Sequence, residues 1–357
     1  MIPLRDYQKP IVDAAVLATE GMIVMSTGSG KTIVALAIIE RLGLTATFLV
    51  NRTNLLEQAA DECKKFLGIE PAVIGGGKKE IGDITIATIQ TLQRDEVLLK
   101  RLAARTAVLI VDECHSAVTA KNMAVVEEFA ATHVYGLTAT PVRDDGTSDC
   151  IGFYFGPEIC NFELASIAPT IHVIQSGADI PISSDYNDMI VDMVEHEERN
   201  DLIKQLAFSE AISGRRVLVL TKRIEHAEKI HELLPSKENF YLISSKDKNR
   251  NELLQQFKKG ELPYSIIVGT MSLLATGMDI PSLDTLIFAS DLKGQVITVQ
   301  SAGRIMRLFD GKRDPIIYDI VDEKNGILLN QFEHRKKVYD MKNWDVVGRI
   351  PYKKRHY

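Results

Sequence analysis

The run Met25-Ser26-Thr27-Gly28-Ser29-Gly30-Lys31-Thr32 constrains this chain more than any other stretch. It follows the apolar segment Met22-Ile23-Val24-Met25 and precedes Ile33-Val34-Ala35-Leu36-Ala37-Ile38-Ile39, which reads as a helix. Strand, glycine loop and helix in this order make a phosphate cradle. Gly28 and Gly30 let the backbone curl until successive N–H groups converge on an anion. The helix N-terminus adds partial positive charge at the same point. Lys31 is expected to reach the β- and γ-phosphates of a nucleotide and Thr32 to ligate Mg²⁺. The general pattern has glycine at the first loop position, where this chain has Met25. The stretch reads as a nucleotide site rather than as a glycine turn with a chance Lys-Thr.

At roughly 150 residues per domain, 357 residues imply two domains, each able to bury a core. Apolar and charged fractions of 45% and 25% are those of an ordinary globular protein. A net charge of −6 gives no global sign of a nucleic-acid partner, but the cations Arg349, Lys353, Lys354 and Arg355 crowd the end of the chain. Cys63, Cys114, Cys150 and Cys160 form no CxxC pair and no metal spacing, so reduced thiols are expected. No apolar run approaches the ~20 residues of a membrane helix, and the start lacks a signal-peptide pattern. A cytoplasmic protein is expected.

Leu4-Arg5-Asp6-Tyr7-Gln8 opens a helix through Ile11, Val12, Ala15 and Val16. The Gln8 amide donates and accepts at once, matching the edge of adenine; a solvated helix glutamine is the other reading. Ala46–Val50 and Ile84–Ala87 read as strands, 55–67 as a helix, and Gly75–Lys79 as a flexible turn rather than a second anion site. Alternating strands and helices imply an α/β fold with a doubly wound parallel sheet, whose ligands sit beyond the strands' carboxyl ends. Ala107–Val111 is a buried strand delivering Asp112-Glu113-Cys114-His115 at that end. Adjacent carboxylates face opposite ways, so Asp112 suits Mg²⁺ and Glu113 suits an attacking water. His115 is open between a coupling residue and a core histidine. Thr138-Ala139-Thr140, after the strand Val134–Leu137, is in isolation a plain turn.

Taken together, TGSGKT, DECH and TAT in this order resemble motifs I, II and III of the superfamily 2 helicases. Thr270 with Gly277-Met278-Asp279 resembles motif V, and Gln300-Ser301-Ala302-Gly303-Arg304-Ile305-Met306-Arg307 resembles motif VI. Helicase-type loops commonly depart from the glycine pattern where this chain has Met25. Leu4–Gln8, Leu49–Arg52, and Leu137–Pro141 with Arg143 and Asp145-Gly146 are similar to one branch. That branch holds type III restriction enzyme motor subunits, transcription-repair helicases and phage branch-migration helicases. The departures from it are the lack of a long inter-domain insertion, of a nuclease or methyltransferase module, and of the N-terminal DNA-binding module some relatives carry.

The resemblance implies two tandem RecA-like domains, over 1–143 and 169–331, with a linker at 144–168 and a short helical basic tail at 332–357. It implies ATP and Mg²⁺ held by Arg5, Gln8, Thr27, Gly28, Ser29, Gly30, Lys31, Thr32, Asp112, Gly277 and Asp279, the last at the ribose. Lys31 and Glu113 would act with the arginine fingers Arg304 and Arg307, while Gln300 senses the γ-phosphate. Nucleic acid, DNA above all and single-stranded or branched, would meet Arg52, Thr88, Gln90, Lys222 and Thr270. His115, Thr138 and Thr140 would couple the two activities. A small-molecule P-loop kinase is excluded by the motif VI resemblance. An ATPase that clamps or remodels nucleic acid without unwinding it stays open. In the tail, Ile327–Asp340 reads as a helix, and Trp344 with the cations and aromatics of Arg349–Tyr357 reads either as a solubilising end or as a further nucleic-acid contact.

Overall fold

The computed structural model describes residues 1–349 apart from 27, 142–147, 236–238, 245, 248 and 272–279. Thr27, Arg143, Asp145, Gly146, Gly277, Met278, Asp279 and the tail beyond Arg349 therefore lie outside the described residues. The chain divides into two compact units, Met1–Leu164 and Ala165–Tyr357. Each is an α/β unit built on one sheet, as tandem RecA-like domains require. No described helix is long and apolar enough to cross a membrane.

In the first unit the strands are β1 (Glu20–Met25), β2 (Ala46–Val50), β3 (Ala72–Gly75), β4 (Lys78–Lys79), β5 (Ile84–Thr88), β6 (Val108–Val111), β7 (His133–Thr138) and β8 (Glu158–Phe162). Their order is β4-β3-β5-β2-β6-β7-β1-β8, and only β3–β4 is antiparallel. That pair makes Gly75–Lys79 a tight hairpin, with Gly76 and Gly77 at φ +58° and +90°. The central strands β2 and β6 are buried at every position, which explains their continuous apolar runs. Alternate residues serve opposite faces: Phe48, Val50, Val108 and Ile110 join one core, Leu49, Leu109 and Val111 the other. Since β6, β7 and β1 are neighbours and parallel, Asp112, Thr138 and the glycine loop all emerge at one edge.

The second unit orders its strands β11-β12-β10-β13-β14-β9-β15, all parallel. They are β9 (Thr170–Gln175), β10 (Val217–Thr221), β11 (Phe240–Ile243), β12 (Ile266–Thr270), β13 (Thr285–Phe288), β14 (Ile316–Val321) and β15 (Asp345–Gly348).

Two expected boundaries move. Residues 144–168 do not form a bare linker: they contain the helix Asp149–Phe155, with Ile151 and Phe155 buried, and β8, which pairs with β1. Gly152 and Gly156 suggest a break, yet the chain turns only at Gly156 (φ +83°). The helix expected over 327–340 packs on the second unit, so a boundary at Phe332 falls inside one element. The helix Gly326–Met341 buries Phe332, Arg335, Val338 and Tyr339, Trp344 stacks on Tyr339 at 5.9 Å, and β15 extends the sheet beside β9.

Arg335 shows why that helix belongs to the core. Its guanidinium donates to both Asp319 oxygens at 2.7–3.1 Å and to the Leu292 carbonyl, while Tyr339 Oη donates to Asp319 Oδ2 at 2.7 Å. Asp319 is fully buried and Arg335 is 2% exposed. Arg335→Met strands the Asp319 charge in the interior and is expected to cost about 3–5 kcal/mol. Denaturant unfolding followed by Trp344 fluorescence measures this, and adding Asp319→Leu is expected to restore most of the loss.

Candidate active site

The nucleotide cradle is shaped by residues on both sides of it. Between β1 and the helix Lys31–Leu42, Gly28 and Gly30 both take φ +81°. A Cβ on Gly30 would sit 2.6 Å from Gln8 Nε2 as well as in the left-handed region. The Ser29 N–H and hydroxyl both donate to the Ser26 carbonyl, at 3.2 and 2.6 Å, which closes the loop on itself. Lys31 Nζ donates to the Met25 carbonyl at 3.4 Å and lies 3.8 Å from Glu113 Oε1.

Gln8 is 3% exposed, so it is no solvated helix glutamine. Its Nε2 donates to the Ser29 carbonyl at 2.9 Å, and its Oε1 accepts from the Arg5 N–H at 3.0 Å. Tyr7 Oη donates to the same Ser29 carbonyl at 3.0 Å, and its ring stacks on Phe162 at 4.3 Å. Arg5 Nη1 in turn donates to Tyr7 Oη at 2.9 Å. Gln8 and Tyr7 thus prop the phosphate loop from beneath, a role that its candidate match to adenine did not reveal.

β6 sets Asp112 and Glu113 beside this loop. Burial pushes the Asp112 carboxyl up to about 7, the Glu113 charge adds to the rise, and Lys31 opposes it. An anion so disfavoured gains from a cation. The available ligands, Asp112 and the Thr32 hydroxyl, are hard oxygens of the kind Mg²⁺ takes. The curled glycine loop and Lys31 are compatible with a Mg²⁺-nucleotide, which Lys31, Thr32 and Asp112 would hold. Glu113 takes φ +48°, ψ +50°, a conformation that costs a non-glycine residue roughly 1–2 kcal/mol. Its Oε2 is buried and accepts no hydrogen bond among the described residues, as suits a carboxylate kept for water.

His115 is buried in a chain of polar contacts. Its Nδ1 lies 3.4 Å from Glu113 Oε2 and 2.8 Å from Thr138 Oγ1. Thr138 Oγ1 donates to the Thr140 carbonyl at 2.9 Å and accepts from the Thr140 N–H at 3.1 Å. Thr138 Oγ1 thus joins His115 Nδ1 to both backbone groups of Thr140. The Thr-Ala-Thr stretch is not merely a turn: it continues a chain of polar contacts that starts at Glu113.

The expected nucleic-acid residues divide. Arg52 and Gln90 are exposed beyond β2 and β5, and Gln90 Nε2 donates to the Asn51 carbonyl at 2.8 Å. Thr88 needs correction: it is 4% exposed and its hydroxyl is shared with Thr91 at 2.7 Å, so it faces inward. Thr270, 3% exposed at the end of β12, also presents no open hydroxyl. Lys222 is half-exposed, but its ammonium pairs with the buried Asp291 at 2.8 Å and lies 5.6 Å from the Tyr186 ring centroid. In the second unit, Gln300 and Arg304 lie one turn apart on the helix Gln295–Ile305, and Arg304 is 7% exposed. Arg307 follows that helix; burial lowers its guanidinium to about 10, and its carbonyl accepts from Lys312 Nζ at 2.7 Å.

Residues 1–143 match the family described as type III restriction enzyme, res subunit, and residues 198–309 match the helicase conserved C-terminal domain. The chain belongs to the superfamily 2 helicases. It is thus an ATP-hydrolysing enzyme of the branch that includes restriction-enzyme motors. This helicase is similar to "Probable helicase D10" of Escherichia phage T5, at 28% identity over 337 residues, covering 91% of this chain and 73% of that protein. It is 24% identical over 373 residues to DNA 3'-5' translocase XPB2 of Sulfurisphaera tokodaii, covering 90% and 82%. Its fold is shared with the DNA-bound Type ISP restriction-modification enzyme LlaBIII, at a TM-score of 0.69 and 16% identity over 97% of this chain. The chain spans 31% of that larger enzyme.

Removing the prop under the phosphate loop isolates its contribution. Gln8→Ala leaves the Ser29 carbonyl with one donor fewer and is expected to weaken ATP binding by about 1–3 kcal/mol, read by nucleotide titration.

Proposed function

We propose that this helicase is an ATP-driven motor on DNA that acts at branched or forked substrates. In this reading Lys31, Thr32 and Asp112 bind Mg²⁺-ATP, Gln8 and Arg5 lie at the adenine side, and Gly277 and Asp279 at the ribose. When bound, Mg²⁺ offsets phosphate charge. Glu113 orients the attacking water, and Gln300, Arg304 and Arg307 answer to the γ-phosphate. A guanidinium is permanently charged and bidentate, so it suits the charge developing on transferring phosphoryl oxygens. Arg52 and Gln90 would take strand phosphates, with Lys222 joining only if Asp291 gives it up. Phosphate contacts carry no sequence information, so binding would be largely sequence-independent. Action in the cytoplasm, or in a host's cytoplasm for a phage-encoded protein, fits this reading.

The observation that carries it is the contact chain Glu113–His115–Thr138–Thr140. This chain gives the carboxylate proposed to orient water a buried path to the loop after β7, as coupling of turnover to work on a strand would require. The name of the archaeal relative, a DNA 3'-5' translocase, supports DNA as the track. ATP turnover with single-stranded, duplex, forked and four-way DNA, and with RNA, tests this. Turnover is expected to rise at least tenfold with DNA and most with branched DNA. Stimulation by RNA alone, or by no nucleic acid, would contradict it. A strand-displacement assay alongside separates unwinding from clamping. Arg304→Ala is expected to lower turnover by about 10³ while ATP affinity stays nearly unchanged, because the finger acts on the transition state.

A further inference from the structure

A second polar network leaves Glu113 from its main-chain carbonyl rather than from its carboxylate. Ser116 sits one turn after Glu113, and both its N–H and its hydroxyl donate to the Glu113 carbonyl at 2.8 Å. These two bonds hold the one catalytic residue whose backbone is in the left-handed region. The Ser116 hydroxyl has a single proton, already given to Glu113, so its oxygen accepts from Asn51 Nδ2. Asn51 lies at the end of β2, covalently before Arg52, and its carbonyl accepts from Gln90 Nε2 at 2.8 Å. Asn51 therefore touches both candidate strand contacts on one side and the support of Glu113 on the other. None of these bonds involves a residue of the second unit.

The Asn51 amide admits a second arrangement, reached by a half-turn of its side-chain amide. With Nδ2 on Ser116, Asn51 Oδ1 is buried and meets no donor among the described residues, an orphaned acceptor. Turning the amide over would place Oδ1 on Ser116 and draw the hydroxyl proton to itself. The Glu113 carbonyl would then lose its side-chain bond, and its strained backbone would lose support. The observed arrangement thus favours the held Glu113 at the cost of an unsatisfied amide oxygen. A strand drawn onto Arg52 and Gln90 pulls on the same backbone and can bias the choice.

We propose that Asn51 and Ser116 are positioning residues that carry the state of the nucleic-acid face to Glu113. The proposal rests on the reading of Glu113 as the water-orienting residue. Among the described residues, no hydrogen bond of either reaches the phosphate loop.

The test uses the full chain, ATP and an oligodeoxythymidylate probe. Asn51→Ala is expected to leave unstimulated turnover within about twofold, and to cut stimulation by the oligonucleotide on the order of tenfold. KM for ATP and oligonucleotide affinity by fluorescence anisotropy are expected to stay within about twofold. Ser116→Ala is expected to lower kcat with and without the oligonucleotide, again at unchanged KM. The double variant is expected to be no worse than Ser116→Ala, because both act through one bond. If Asn51→Ala fails to fold, Asn51→Leu, which keeps nearly the size and removes the N–H donor without adding a charge or an acceptor, gives the same reading. Full stimulation in the Asn51 variant would overturn the proposal. So would a loss of stimulation matched by loss of oligonucleotide binding, or additive effects in the double variant. Glu113→Gln run in parallel separates the layers: normal turnover there defeats the reading of Glu113 itself, whereas a dead Glu113→Gln beside a fully stimulated Asn51→Ala defeats only this proposal.

Discussion

Everything at the site depends on where the Lys31 ammonium is held. It donates to the Met25 carbonyl at the end of β1 and faces Glu113 Oε1 at 3.8 Å, just past the end of β6. One cation thereby ties the phosphate loop to the acidic pair. The geometry follows from the sheet order, which puts β6, β7 and β1 side by side with their carboxyl ends at one edge. Lys31 also lowers the electrostatic cost of two carboxylates side by side in a buried place, although burial still lifts Asp112 to about 7. That residual cost is what a divalent cation arriving with a nucleotide would relieve.

Strain and satisfaction are distributed unevenly around that centre. Glu113 is one of two described non-glycine residues with positive φ, and it is the one that faces Lys31. Its main-chain carbonyl is doubly bonded by Ser116, while its Oε2 is left without a hydrogen bond. Backbone strain of this kind persists where surrounding contacts over-determine it. The contacts here radiate in two directions, through His115 toward Thr138 and through Ser116 toward Asn51. Both lead to loops at the same edge of the sheet.

The parts that were legible in the sequence are those with a local signature. The glycine loop between strand and helix, the buried run ending in Asp112-Glu113, and the alternation implying parallel sheets each needed only neighbouring residues. The misplaced boundaries needed long-range information. β8 has a half-buried, mixed composition because it is an edge strand, and Gly152 and Gly156 around it suggested a linker. Arg335 looks like a surface cation, and only its pairing with Asp319 fixes the last helix in the core. Thr88 reads as an available hydroxyl until burial shows its partner to be Thr91. Asn51 and Ser116 are 65 residues apart in sequence, and nothing in either position announces the other.

The central claim is that one cradle, closed by Lys31, supplies the energy for work on nucleic acid. ATP turnover by Lys31→Ala, measured with and without single-stranded DNA, tests it most directly. The account predicts turnover at least a hundredfold below wild type in both conditions, with folding intact, since no other described cation bridges Met25 and Glu113. Turnover within about threefold of wild type, roughly 0.65 kcal/mol, or a loss that DNA restores, would contradict it.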